Sequence, residues 1–171
     1  PNTGLLEGTP VELGESGAVA TDGYGRTSVP SVYAAGDVAE MPHTVTDEQT
    51  WNPLGLPANR AGRAIGSTVA GDTTPVGRVA GTAMVKAFDL ECGRAGVLDH
   101  GRAREAGFDP VSETVTAGAR SGDYPGAAGT TGTLTAERDT GRLVGGGTVG
   151  SGGGGMRGGT VAPALGGGET G

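Results

Sequence analysis

Glycine crowds the carboxyl-terminal end of this chain: from Gly145 to Gly171 it fills 14 of 27 positions, against 23 of the 144 before them. Each glycine in a helix interior costs about 1 kcal/mol relative to alanine. A helix laid through Gly152 to Gly168 would carry several such penalties, with Met156, Val161 and Leu165 as its sizeable apolar anchors. That stretch is expected to be weakly ordered, or helical only where packing forces it. Ahead of it, with 4% aromatic residues, a core must be built mainly from Ala, Val and Leu.

A length of 171 residues suits one ordinary domain or two small ones. No apolar run approaches the roughly 18 to 20 residues that span a bilayer, and no charged-then-apolar leader precedes Pro1, so a soluble, cytoplasmic protein is expected. A chain that opens on Pro1 rather than Met reads as a piece of something longer. Nineteen acidic against twelve basic residues give a net charge of -7, which repels nucleic-acid phosphates and anionic membranes. Eleven of the twelve cations are Arg, and Lys86 is the exception. Two readings of that surface stay open: adaptation to a salt-rich cytoplasm, where screening removes self-repulsion, or an ordinary acidic protein from a high-GC genome. Cys92 is the sole cysteine, so an internal disulfide, a dithiol pair and a multi-cysteine zinc site are excluded. No metal site is expected.

The short apolar runs Gly17-Ala18-Val19-Ala20 and Ser31-Val32-Tyr33-Ala34-Ala35, bounded by Gly, Pro and Asp, suit strands buried on both faces. After a loop carrying Pro42, Trp51 and Pro53, the segment Pro57 to Ala70 places Pro at a first helical position and Ala58, Ala61, Ile65 and Val69 on one face. Gly71-Asp72-Thr73-Thr74-Pro75, all turn formers, marks a boundary. Beyond it, Ala83 to Asp89 reads as a strand, Asp99 to Ala106 as a short helix capped by Asp99 and stopped by Gly107, and Val111 to Ala119 as another strand. Thr131 to Arg138 and Arg142 to Val149 flank a three-residue hairpin loop, Asp139-Thr140-Gly141, with Gly where a positive φ is needed. The pattern predicts a small antiparallel sheet with a helix packed on it.

The segment with most chemical content is Thr27-Ser28-Val29-Pro30-Ser31-Val32-Tyr33-Ala34-Ala35-Gly36-Asp37. It sets a carboxylate just past a buried strand, beside a glycine that lets a ligand approach the backbone, and crevices at strand carboxyl ends are where open α/β sheets bind cofactors. On spacing alone, Gly-Asp after a strand is a turn about as often as a ligand site. Cys92 lacks a second cysteine and reads as a small buried or half-exposed thiol rather than a redox nucleophile. His43 and His100 have no partner at ligand spacing and read as solvated. Lys86, between Val85 and Phe88, reads as a strand-edge charge.

The whole run from Thr27 to Asp37 resembles the second FAD motif of the pyridine nucleotide-disulfide oxidoreductases, a family with two nucleotide-binding domains and a carboxyl-terminal dimerisation domain. The resemblance implies that Gly36 and Asp37 bind FAD, with Asp37 on the ribityl chain and Thr27 opening the motif. Trp51-Asn52-Pro53-Leu54-Gly55-Leu56-Pro57-Ala58-Asn59-Arg60, followed by Gly62-Arg63, looks like the family's next helix. Its amino-terminal end, at Pro57 and Ala58, would face the flavin. Gly81-Thr82, Lys86-Ala87-Phe88-Asp89-Leu90, Ala106-Gly107-Phe108-Asp109, Tyr124-Pro125-Gly126-Ala127 and Thr140-Gly141-Arg142-Leu143 resemble, in that order, the dimerisation domain of the branch holding coenzyme A-disulfide reductases and NADH oxidases.

The fold class so implied is an α/β fragment of an FAD/NAD-binding domain over residues 1–72, then an α+β dimerisation domain over 73–150, with 151–171 as its Gly-rich remainder. The implied activity is electron transfer from NAD(P)H through FAD to a small-molecule disulfide or a small oxidant, in a homodimer where Tyr124 could reach across the interface. The family's phosphate loop, nicotinamide domain and redox cysteine match nothing in this chain. No catalytic residue can therefore be named, and a non-catalytic dimerisation module with a vestigial flavin half-site remains the alternative.

Overall fold

Apolar runs of four or five residues, hemmed by left-handed backbone, cannot extend far into ladders, and this governs the amino-terminal half of the computed structural model, which describes residues 1–118, 128–151 and 161–165. Gly17, Ser31 and Gly36 have φ of 77°, 65° and 79°. The two expected strands are consequently reduced to single bridges: Val19 pairs with Leu13 and Ala39, and Tyr33 with Arg26. Ala18 and Val19 are nonetheless buried, as the apolar run demands. The Val19 amide donates to Val38 O at 2.8 Å and the Glu40 amide to Val19 O at 3.0 Å, which fixes residues 36–40 beside residue 19.

Inside the expected loop the structure forms a small hairpin of β1 (Glu40–Pro42) and β2 (Gln49–Trp51). Helix α1 spans Gly55–Val69, starting two residues ahead of Pro57. Its first intrahelical bond runs from the Ala58 amide to Leu54 O at 3.0 Å, so Pro57 still falls among the positions whose N–H has no intrahelical acceptor. The buried face is Ala61, Ala64 and Thr68, while Val69 is 67% exposed, contrary to the sequence reading. Thr68 takes the inward place because its hydroxyl lies 3.0 Å from Ala64 O and accepts from the Thr74 amide at 3.4 Å, tying the helix end to the chain that follows.

The chain divides into two compact units, the first made of Pro1–His43 and Asp47–Val79, the second of Thr44–Thr46 and Ala80–Gly171. The first therefore runs past the turn-rich stretch 71–75. Val76 and Val79 return to bury against Met41, Ala61 and Ala64, and the Val79 amide donates to Pro42 O at 2.9 Å.

The second unit is a five-stranded antiparallel sheet in the order β3-β4-β7-β6-β5. Its strands are β3 (Ala83–Ala87), β4 (Leu90–Gly96), β5 (Pro110–Gly118), β6 (Gly129–Glu137) and β7 (Leu143–Gly150). β3 ends before Asp89 because Phe88 turns left-handed at φ 54°, leaving its ring 98% exposed at the hairpin tip. Helix α2 (His100–Glu105) is capped as expected, the Asp99 carboxylate accepting from the Arg102 amide at 2.8 Å. It closes when Gly107 turns to φ 88° and the Phe108 amide reaches Ala103 O at 3.0 Å. Gly141 takes the expected positive φ, 68°. The loop before it is tied back to the start of β5 by Arg138, whose guanidinium lies 2.6 Å from the Asp109 carboxylate. That hydrogen bond, then the charge of Asp109, raises the Arg138 pKa further above its ordinary value.

Residues 161–165 are helical, with Val161 and Leu165 buried against Ala95, Ala103 and Val144. Two of the three anchors read from the Gly-rich tail thus hold a helical turn on the core. Met156, the rest of 152–168 and Ala119 lie outside the described residues.

A chain with nineteen acidic and twelve basic side chains, net charge -7, repels itself in dilute buffer. If it is a salt adaptation, the thermal midpoint is expected to rise on moving to molar KCl, beyond any rise in a matched concentration of sucrose. A flat or falling midpoint returns the ordinary acidic reading.

Candidate functional site

Gly36 opens a turn of 3-10 helix, Gly36–Val38, that carries Asp37 at its centre. A Cβ on Gly36 would stand 3.4 Å from Ala58 Cβ, and φ at 79° is disfavoured for other residues, so glycine here brings the turn against the first turn of α1. The Trp51 indole donates to Asp37 O at 2.8 Å and locks the turn to β2. Asp37 is exposed, and none of the hydrogen bonds or ion pairs among the described residues engages its carboxylate. Helix α1 begins without a side-chain cap at Leu54. A helix start of this kind keeps free amides and the positive end of the dipole for a negatively charged group.

Of the residues singled out from sequence, the fold gathers Gly36, Asp37 and Ala58 into one place, with Pro57 adjoining. Thr27 sits at the far end of the motif, its hydroxyl bonded to Val32 O at 3.0 Å, where it shapes the turn. Tyr124 lies outside the described residues.

Both histidines depart from the solvated reading. His43 is 7% exposed, carried inward by its bridge to Val79. His100 is half-buried, its Nε2 2.6 Å from Ser112 Oγ. Lys86 is exposed on the edge strand β3, as read. Sequence reasoning passed over Glu40, whose buried carboxylate accepts from the Ser16 hydroxyl at 2.5 Å and the Ser16 amide at 3.2 Å. Its only sequence signal was position, a carboxylate three residues after Asp37 in an otherwise apolar stretch.

In the second unit a groove of about 450 Å³ lies along one sheet face, lined by Val85, Cys92, Leu98, Thr131, Thr133 and Val149 among others. Cys92 is a half-exposed thiol in β4, opposite Val85 and Val149.

Residues 1–52 match the family described as pyridine nucleotide-disulphide oxidoreductase. The match ends at Asn52, so it takes in the Gly36–Asp37 turn and stops short of α1. Curated relatives carry the likeness further. An NAD(P)H sulfur oxidoreductase (CoA-dependent) of Pyrococcus furiosus is 36% identical over 151 residues, 88% of this chain and 34% of that protein. A coenzyme A disulfide reductase of Staphylococcus aureus is 32% identical over 127 residues, 74% of this chain and 28% of that one. The structure of an NAD-dependent persulfide reductase from A. fulgidus superposes with a TM-score of 0.90 at 34% identity, covering 96% of this chain and 31% of that one. The chain thus spans about a third of the length of the relatives it matches.

Proposed function

We propose that this chain serves as the carboxyl-terminal part of an FAD-dependent, NAD(P)H-linked oxidoreductase of the pyridine nucleotide-disulphide family, reducing a small-molecule disulfide or a small oxidant. The observation that carries the reading is the approach of Gly36 to Ala58, which sets an unengaged carboxylate beside an uncapped helix start. This arrangement fits one wall of a flavin site. Asp37 would hold ribityl hydroxyls by charge-assisted hydrogen bonds, and the amino-terminal end of α1, at Pro57 and Ala58, would favour negative charge near the ring. Bound there, FAD supplies hydride acceptance from the nicotinamide and electron delivery to the acceptor.

In this reading the FAD-binding part extends through Val79, where the first compact unit ends, rather than stopping at residue 72, the dimerisation domain follows to residue 150 with 151–171 as its remainder, and Tyr124 contacts the partner subunit. The apolar side chains left open on the sheet, Met84, Val85 and Val149 among them, support a surface that another subunit covers. The homologues' names, a sulfur oxidoreductase and a coenzyme A disulfide reductase, favour a sulfur-containing acceptor.

Cys92 stands outside the redox chemistry in this reading. Replacing Cys92 with Ala in the whole protein is expected to leave NADH turnover and disulfide reduction unchanged. Loss of disulfide reduction with flavin retained would make Cys92 the redox thiol. The function itself is tested by purifying the whole protein and asking whether it carries FAD and oxidises NADH or NADPH when given a low-molecular-weight disulfide, polysulfide or dioxygen. A flavin-free protein with no such turnover would favour the non-catalytic dimerisation module.

A further inference from the structure

We infer that Trp51 is a positioning residue for the flavin site: its indole N–H, carried on a braced hairpin, fixes the turn that aims the Asp37 carboxylate. The inference rests on the proposed function and deepens it, since Trp51 acts on FAD through Asp37 and is not itself a ligand contact.

Each carbonyl of the Gly36–Val38 turn is taken by a donor from a different place. Gly36 O accepts from the Ala39 amide at 3.0 Å, Val38 O from the Val19 amide at 2.8 Å, and Asp37 O from the Trp51 indole at 2.8 Å. The first two are main-chain bonds that side-chain changes leave in place. The third hangs on one side chain. It restrains the peptide plane that joins Asp37 to Val38, and a planar peptide leaves only rotation about the bonds at Cα to be fixed. If that plane rocks about the Asp37 Cα–C bond, residue 37 re-orients, and its Cα–Cβ bond swings with it. A carboxylate meant for hydrogen bonds to a ligand is useful only while it is held within about 10 to 20° of the right direction.

A tether is as stiff as its anchor, and both strands of the hairpin that carries Trp51 are anchored. Trp51 closes β2 and pairs with Glu40 of β1. Glu40 is held at every polar group: its amide donates to Val19 O at 3.0 Å, its carbonyl accepts from the Thr21 hydroxyl at 2.9 Å, and its buried carboxylate accepts from Ser16. On β2 the Gln49 side-chain amide donates to Thr21 O at 3.1 Å. This gives the buried Glu40 carboxylate a purpose, bracing the strand opposite Trp51. The indole itself is 40% exposed, so burial alone does not account for a tryptophan here. What the position uses is an N–H at the end of a long, rigid side chain, and that N–H finds its partner in Asp37 O.

The test is a double-mutant cycle in the whole protein, stripped of FAD and titrated with it again, with affinity read from the flavin's own fluorescence. Trp51→Phe keeps an aromatic ring at the end of β2 and removes the donor. It is expected to weaken FAD about threefold to tenfold, the range that one neutral hydrogen bond spans. In the Asp37→Ala background the same change should leave the affinity where Asp37→Ala alone put it, because the group that Trp51 aims is gone. All the proteins are compared well below the thermal midpoints of their FAD-free forms, so that unfolded protein is not counted as lost affinity. A tryptophan that only holds the fold would weaken FAD by the same factor in both backgrounds, and that result would overturn the inference. Full affinity in Trp51→Phe beside a loss in Asp37→Ala would also overturn it, while leaving the proposed flavin site standing. Full affinity in both single variants would remove the site from this turn, and the inference with it.

Discussion

Replacing Gly96 with Ala is expected to unfold the sheet unit under conditions where the unaltered chain is folded. Gly96 ends β4 with φ at 68°, and a Cβ there would stand 2.3 Å from Val144 O, 2.8 Å from Gly145 Cα and 2.9 Å from Leu165 Cδ1. The left-handed backbone alone costs an alanine about 1 to 2 kcal/mol. Overpacking against backbone atoms adds about 1 to 3 kcal/mol or more, because a carbonyl in a strand cannot swing aside as a long side chain can. The sum is a large part of the roughly 5 to 15 kcal/mol that holds a domain together. Gly141→Ala is the control. It has a similar φ of 68° with nothing within 4 Å of the added carbon, so it should show the backbone cost alone. Urea midpoints for the two variants measure the difference. Equal midpoints would mean that β4, β7 and the 161–165 helix do not meet at Gly96 as described.

Replacing Asp37 with Ala, in the whole protein that the proposed function implies, is expected to loosen FAD by roughly ten- to a hundredfold, the loss of charge-assisted hydrogen bonds of about 1.5 to 3 kcal/mol. The fold should not suffer, because the Asp37 carboxylate is exposed and the turn is held by backbone groups: Trp51 donates to Asp37 O, and the Ala39 amide to Gly36 O at 3.0 Å. The matched control is Asp22→Ala, which removes another exposed carboxylate, one that accepts from the Tyr24 and Arg26 amides. It should leave flavin affinity alone. Flavin counted by absorbance after exhaustive dialysis reads the result, and equal retention in all three proteins would remove Asp37 from the cofactor site.

The parts of this fold that were legible in the sequence are those whose signal is local. Asp99 and Gly107 bound α2, Gly141 turns the β6–β7 hairpin, and Ala61 lies on the buried face of α1, because a cap, a left-handed glycine and a helical period each act within a few residues. The misses came where a distant partner decided the outcome. Val69 continued the helical spacing but lost the inward place to Thr68, which the segment at Thr74 engages from beyond the helix. Val32 to Ala35 had a strand's composition, yet Ser31 and Gly36 on either side turn left-handed and leave one bridge. β4 escaped notice because Leu90–Gly96 alternates weakly, with two glycines, an Arg and a Glu among its seven residues, and becomes a strand through its ladders to β3 and β7. His43 and His100 were misjudged for the same reason, as their surroundings come from residues 79 and 112.

The candidate site followed the same rule. Gly36–Asp37 could be picked out as a motif, but its meeting with Ala58 depends on how α1 folds back over the turn.

The central claim is that this chain supplies one wall of a flavin crevice and needs other segments to complete it. Micromolar affinity takes about 8 kcal/mol, which one carboxylate and one helix start do not provide once ordering costs are met. The measurement that tests this most directly is an FAD titration by fluorescence quenching on the 171-residue chain and on the whole protein in parallel. The account predicts tight, saturable binding by the whole protein and no binding by the chain alone through the micromolar range. Submicromolar binding by the chain alone, or none by the whole protein, would contradict it.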